Sequence, residues 1–488
     1  MLYLLLALGC DTASKPVRRE APAAGASSAG SARSAAPLVV APQGDRWEFT
    51  IASEGGDPPL RIVPLRDGGW ALAGSRPPPL NLGGQTFHGQ PHLVYVGVFD
   101  AVGKHRFSTE VAQSGGQTFG DLIEAPDGDL ILAADINGSS VSVLGKHVSG
   151  EGPLVARFSP QGVLRWAQME GGARSDPNPR RARNARLTVT PAGDIYVAYH
   201  LGPASQQSQL EARAGVVLCR LGAGGSPLWT TEILDRGFWT ETFLRPHPAG
   251  GVIIAGNSDG DLNWESARSP SPAALNPSPA AAPARALEGA AGFGLFHRGA
   301  YGGGPPNLFV ARFDDAGELV WHQSEHARHL KFGKAYDVSV GQDGSSWFAI
   351  GGTGKLSLKG QTLTTNDWDL IVLRVSPEGQ WLPPIHLRRP AAQGRGRLLR
   401  RGQEAWLFGD SAGPDDKRSR VGFRLAADGS ATKLKVAGAP LLGVASQGGR
   451  LLLVSSPEQG GSRGTTLPLV VERSPWPTSA EARDRDAP

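Results

Sequence analysis

A chain of 488 residues would ordinarily make about two to four domains, unless a repeat absorbs it into one unit. Its 66 glycines and 39 prolines suit a turn-rich β protein and argue against a helical one. Lys and Arg number 49 against 45 Asp and Glu, for a formal charge of +4. The arginines are spread along the chain without a basic, aromatic-laced stripe, so no nucleic-acid partner is expected. Two cysteines exclude a disulfide-stapled scaffold.

At the N-terminus, residues 2–9 read LYLLLALG, and Cys10 follows. The run is too short to span a bilayer. An apolar run, a small residue and a Cys resemble the lipobox of bacterial lipoproteins. Ala7 and Leu8 depart from the order that motif prefers. The resemblance implies that 1–10 is a signal-like segment and that Cys10 carries a lipid, placing the protein in the cell envelope, facing periplasm or exterior. Residues 11–44 are dominated by Ala, Ser, Gly and Pro and lack an apolar pattern, so they are expected to be a flexible tether.

The body is repetitive. An apolar strand ending in Arg, a turn with Gly and a returning strand, often with Trp, reads LVARFSPQGVLRW at 154–166, VLCRLGAGGSPLW at 217–229 and FVARFDDAGELVW at 309–321. Weaker copies are IVLRVSPEGQW at 371–381 and GFRLAADG at 422–429. The copy at 96–107, VGVFDAVGKHRF, lacks the Arg. Arg157 precedes Gly162 by the same interval that separates Arg220 from Gly225, Arg312 from Gly317, Arg374 from Gly379 and Arg424 from Gly429. A fixed strand–turn–strand register of this kind predicts β-hairpins. A second hairpin type recurs seven times, as in DLIEAPDGDLILAA at 121–134 and FLRPHPAGGVIIAG at 243–256. A third element, LNLGGQTF at 80–87, returns as VSVLGKHV at 141–148 and LSLKGQTL at 356–363.

Four strands per unit in seven units predict an all-β fold, a seven-bladed β-propeller over 45–474. Residues 265–306 stand out as a low-complexity insert, and 475–488 as a disordered tail. LPLVVERS at 467–474 looks like the first half of an Arg-bearing hairpin, and DRWEFTIAS at 45–53 like the second half. Pairing of these N- and C-terminal strands would close the ring and leave no free edge. The segments resemble the SBBP-type β-propeller repeat of extracytoplasmic bacterial proteins, best over 153–201 and 308–368. That resemblance implies a fold and no shared catalytic residue.

Candidate chemistry is sparse. GNSDG (256–260), GDSAG (409–413) and GGSRG (460–464) match the nucleophile-elbow pattern around Ser258, Ser411 and Ser462, but no helix is expected after any of them. His322, His326 and His329 would suit zinc on a helix, yet they continue a repeat strand, on which His329 falls to the other face. Asn257, Asp259, Asp261 and Asn263 alternate as calcium ligands do, but Leu262 stands where an EF-hand needs Gly. No catalytic set, metal or cofactor is therefore expected. The recurring arginines read as structural, and Cys219 as a buried free thiol. Phe293, Phe296 and Tyr301, in the second half of the insert, are the candidate partner-contact residues.

The function these features favour is a lipid-anchored, monomeric, non-catalytic binding or scaffold module for a protein or glycan partner. The alternatives are a polysaccharide- or peptide-acting hydrolase or lyase with its site at the propeller mouth, and a structural surface protein without a specific ligand.

Overall fold

The computed structural model describes most of residues 46–475, the largest gap being 273–306, and neither 1–45 nor 476–488. Every described residue belongs to the unit Pro37–Pro488. Strands make up nearly all of it, with a 3-10 turn at Trp264–Arg268. The protein is all-β and antiparallel.

Four-stranded units succeed one another along the chain. Sheet one comprises Leu60–Pro64, Trp70–Arg76, Leu93–Phe99 and His105–Ala112. Sheet two comprises Gln117–Glu124, Leu130–Ile136, Gly152–Phe158 and Leu164–Met169. Sheet three comprises Arg180–Val189, Ile195–Pro203, Ala214–Leu221 and Pro227–Asp235. Sheet four comprises Thr240–Pro246, Val252–Ser258, Asn307–Phe313 and Leu319–His326. Sheet five comprises His329–Val340, Ser346–Leu358, Gln361–Val375 and Trp381–Leu387. Sheet six comprises Arg397–Arg401, Glu404–Ala412, Arg418–Leu425 and Ala431–Leu434. In sheet seven, Leu441–Gln447, Arg450–Ser455 and Thr466–Pro475 are joined by Arg46–Ala52 from the other end of the chain. That last pairing is antiparallel, with Arg46 opposite Glu472 and Ala52 opposite Thr466.

The Arg-bearing hairpins share one geometry. In sheet four, Asp314 N–H donates to Glu318 O at 3.0 Å and Gly317 N–H to Asp314 O at 3.1 Å. The ladder slips by one residue between Arg312 and Phe313. The same slip follows Arg157 and Arg220. A turn closed by a glycine bulge needs a residue at positive φ, and Gly317 supplies it at 86°. The constant Arg-to-Gly interval in the sequence is the trace of this bulge.

The sheets stack face to face, because their second strands are apolar on both faces. Leu130, Leu132, Ala134 and Ile136 pack with sheet one, while Ile131 and Ala133 pack with sheet three. Similar clusters join sheets three and four, four and five, five and six, and six and seven. The first strands touch in sequence. Leu60–Pro64 meets Gln117–Glu124, which meets Arg180–Val189, then Thr240–Pro246, His329–Val340, Arg397–Arg401 and Leu441–Gln447, and the last meets Leu60–Pro64.

Two outer edges are covered from the following sheet. The hairpin Ser140–Val143/Lys146–Ser149 leaves sheet two and pairs with His105–Ala112 of sheet one, Val143 lying opposite Val111. Leu262–Asn263 and Ser271–Pro272 leave sheet four and pair with Pro227–Asp235 of sheet three. Trp264 and Ala267 are buried there, and Ser266 Oγ donates to Glu232 O at 2.9 Å. The stretch 265–306 therefore begins as a docked strap.

Candidate functional site

The repeated arginines sit on the third strands of sheets two to six, and three of them reach the next sheet. Arg157 Nε contacts Asp129 at 3.1 Å, another of its nitrogens pairs with Asp127, and Nη1 donates to Ala223 O in sheet three at 3.3 Å. Arg220 pairs with Asp194 at 2.7 Å and donates to Asp315 O in sheet four at 2.5 Å. Arg374 donates to Ala427 O in sheet six at 2.7 Å. Arg424 pairs with Glu404. The tryptophan opposite the arginine reaches the same carbonyl. Trp166 Nε1 donates to Ala223 O at 2.8 Å, and Trp229 Nε1 to Asp315 O at 2.9 Å. Arg157, Arg220 and Arg374 thus tie one sheet to the next, while Arg424 and Glu404 pair within sheet six.

The first strands carry a different charged set, contributed by six sheets. Arg61 Nε lies 3.2 Å from Asp121 Oδ1. Asp121 also accepts Leu122 N–H at 3.0 Å and, from sheet three, Leu187 N–H at 3.3 Å. Arg245 pairs with Asp337. Asp337 further accepts Val338 N–H at 2.9 Å and, from sheet six, Leu398 N–H at 3.1 Å. Each aspartate thus ties three consecutive sheets together. Arg186 donates to Gly120 O at 2.8 Å and lies 6.0 Å over the Phe243 ring.

Arg397 faces this set and makes no hydrogen bond or ion pair with the described residues. Its side chain is partly buried. Burial pushes its guanidinium down to about 10, Arg61 and Arg245 push the same way, and Asp337 and Asp121 oppose them. Four arginines face two aspartates here, so the site holds an excess of positive charge suited to an anionic or strongly polar group. The sequence offered little sign of it, because one charged residue per sheet on a strand looks like ordinary surface until the strands are brought together.

Among the sequence-derived candidates, Cys10, Phe293, Phe296, Tyr301 and Ser462 lie outside the described residues. Ser258 is fully buried within its strand and accepts Gly260 N–H at 3.0 Å, so it forms no elbow. Ser411 is paired in a strand with Ser419. His322 stacks on Trp264 at 5.0 Å, and His326 ends the same strand while His329 begins the next. Asn257 accepts Ala335 N–H from sheet five at 3.0 Å, so its oxygen is engaged in joining sheets. Cys219 is buried, outside any disulfide among the described residues, and its Sγ accepts Thr230 Oγ1–H at 3.4 Å.

No protein-family model matches the chain, and no curated protein matches it by sequence. Structural likeness extends to polysaccharide lyase Uly1, at 12% identity and TM-score 0.44 over 86% of this chain and 90% of that one. BamB from Moraxella catarrhalis aligns at 12% identity and TM-score 0.35, over 86% of this chain and 98% of that one. The alpha-L-arabinanase of Penicillium chrysogenum aligns at 11% identity and TM-score 0.38, over 72% and 92%.

Proposed function

We propose that the chain is an SBBP-type, seven-bladed β-propeller that works in the bacterial cell envelope as a non-catalytic binding or scaffold module for a protein or glycan partner. A lipid on Cys10 holds it to the membrane through the tether 11–44. The cyclic succession of first-strand contacts and the pairing of Arg46–Ala52 with Thr466–Pro475 support the ring.

The observation that carries binding over hydrolysis is the engagement of Asp121 and Asp337. A general acid or base must offer its oxygen to the substrate. Both carboxylates of the first-strand set instead hold an arginine and backbone amides from adjoining sheets. What remains for a ligand is cationic and hydrogen-bond donating, which suits recognition and leaves this set without a free carboxylate to act as acid or base.

In-cell crosslinking of the tagged protein, followed by mass spectrometry, tests the reading. An abundant exported partner, lost when 292–301 is deleted, is the expected outcome. Turnover of cell-wall or polysaccharide fragments by the purified chain would overturn the non-catalytic assignment.

A further inference from the structure

The junction between sheets four and five departs from a pattern that sheets two and three share. In sheets two and three the residue after the hairpin glycine is an aspartate that holds the repeated arginine, Asp129 for Arg157 and Asp194 for Arg220. Sheet four has Gly251 at that place. The ladder makes the comparison secure, since Arg157, Arg220 and Arg312 pair with Ile131, Tyr196 and Ile253, each two residues after the position in question. Arg312 makes no hydrogen bond or ion pair with the described residues, and its Nε is buried without a partner. The carbonyl that its counterparts share with a tryptophan goes here to Trp321 Nε1 alone, at 3.1 Å from Pro377 O.

Beside Arg312 lies a cavity of about 650 Å³, lined by His247, Val320, Trp321, Asp343 and Glu378 among others. His247 is only 4% exposed. Its Nδ1 accepts Ala249 N–H at 3.2 Å, so the neutral ring carries its proton on Nε2. That Nε2 leans on the backbone of Gly344 without reaching hydrogen-bond geometry. Two buried donors without acceptors therefore border one cavity. Orphaned buried donors are costly, and an acceptor from outside relieves the cost.

We propose that this cavity binds the carboxylate of a small organic acid, with Arg312 gripping its two oxygens and His247 Nε2–H donating a further hydrogen bond. The planar guanidinium fork matches a planar carboxylate. One cation balances one negative charge, while Asp343 and Glu378 on the walls repel a phosphate or sulfate dianion. Val320, Pro248 and Pro377 give the hydrocarbon part of the ligand an apolar wall. The volume falls within the range of small-molecule sites. The site goes beyond the partner-binding reading and does not depend on it.

The test is an NMR titration of the full-length protein at neutral pH, following the ring of His247, with sodium acetate, sodium D-glucuronate and inorganic phosphate as probes. The His247 signal is expected to shift saturably with acetate and glucuronate, and not with phosphate at equal concentration. Tighter glucuronate than acetate binding assigns a sugar acid as the source, and equal binding assigns the bare carboxylate. Arg312→Gln is expected to weaken binding about tenfold or more, as loss of a bidentate charged pair does. Glu378→Gln, an exposed change that spares folding, is expected to strengthen it about twofold to fivefold by removing a repulsive charge. Absence of a saturable shift with either carboxylate, an undiminished response in Arg312→Gln, or tighter phosphate binding would each overturn the proposal. Should Arg312→Gln fail to fold, unchanged affinity in Glu378→Gln overturns it.

Discussion

The indole of Trp229 in sheet three lies against Gly317 in sheet four so closely that a Cβ on Gly317 would come within 2.7 Å of the ring. Gly225 meets Trp166, and Gly379 meets Trp321, in the same way. The turn glycine of one sheet is thus the seat for the tryptophan of the sheet before it. Gly317→Ala combines a clash with a side chain forced to positive φ, and it is expected to cost about 3 kcal/mol. At Gly128, φ is 89° and nothing lies within 4 Å, so Gly128→Ala isolates the backbone effect at about 1 kcal/mol. Urea unfolding of the two variants separates packing from strain, and equal losses would count against the seat.

Arg157 is 8% exposed and shared between two aspartates and a carbonyl of the next sheet. Arg157→Met removes the charged hydrogen bonds to Asp127, Asp129 and Ala223 O, although Arg165 Nε still holds Asp129 Oδ2 at 3.2 Å, and is expected to cost about 2 kcal/mol. Arg424 and Glu404 make the corresponding pair with side chains 36% and 32% exposed. Solvent screens it, and Arg424→Met is expected to cost under about 1 kcal/mol. Denaturant midpoints at constant m-value give both numbers.

Burial, and then the charge of Arg312, push His247 down to about 4 from its ordinary value. Below the unfolded value the unfolded chain takes up a proton that the folded chain refuses, so stability falls as the pH drops from about 6.5 towards 4. At pH 4.5 this group is expected to remove about 2 kcal/mol relative to pH 7. The difference in pH dependence between the wild type and His247→Gln, read from urea midpoints at the two pH values, isolates it.

Phe49 lies opposite Leu469 across the pairing of the chain ends. In a Cys10→Ala background, Phe49→Cys with Leu469→Cys is expected to form a disulfide under mild oxidation without reductant-independent loss of stability. Intact-mass measurement reads the bond. Free thiols at both positions in the folded protein would contradict the pairing, and Cys219 is buried and gives no competing signal.

Cys10→Ala is expected to move the protein from the membrane fraction to the soluble one while leaving its thermal unfolding unchanged. Unchanged partition would remove the lipid anchor from the proposal.

The hairpins were legible in the sequence because their causes are local. The interval from Arg312 to Gly317 encodes a bulged turn whose geometry needs few other contacts. The complementary half-motifs at 45–53 and 467–474 likewise carried their pairing, since each lacked what the other supplied. The straps were not legible as straps. VSVLGKHV is visibly a hairpin, but its attachment to the preceding sheet is set by an exposed edge made elsewhere in the chain. Arg312 was equally opaque. It looks like Arg157 and Arg220 in the repeat, and only the sheet register connects it with Gly251, the place where they have an aspartate. The first-strand charges needed six sheets in place before Arg61, Asp121, Arg186, Arg245, Asp337 and Arg397 could be seen as one group.

The pairing of Arg46–Ala52 with Thr466–Pro475 has a consequence for how the protein is made. Arg46–Ala52 finds its partner only when Thr466–Pro475 has been synthesised, so its pairing waits on the whole stretch between them. Such a long-range contact is slow to form. Until then the unpaired strand can accept the C-terminal strand of another copy of the same chain, with exchange of ends. Its sequence, RWEFTIA, carries Arg46 and Glu48, charges of the kind that disfavour pairing of an exposed strand edge with another chain.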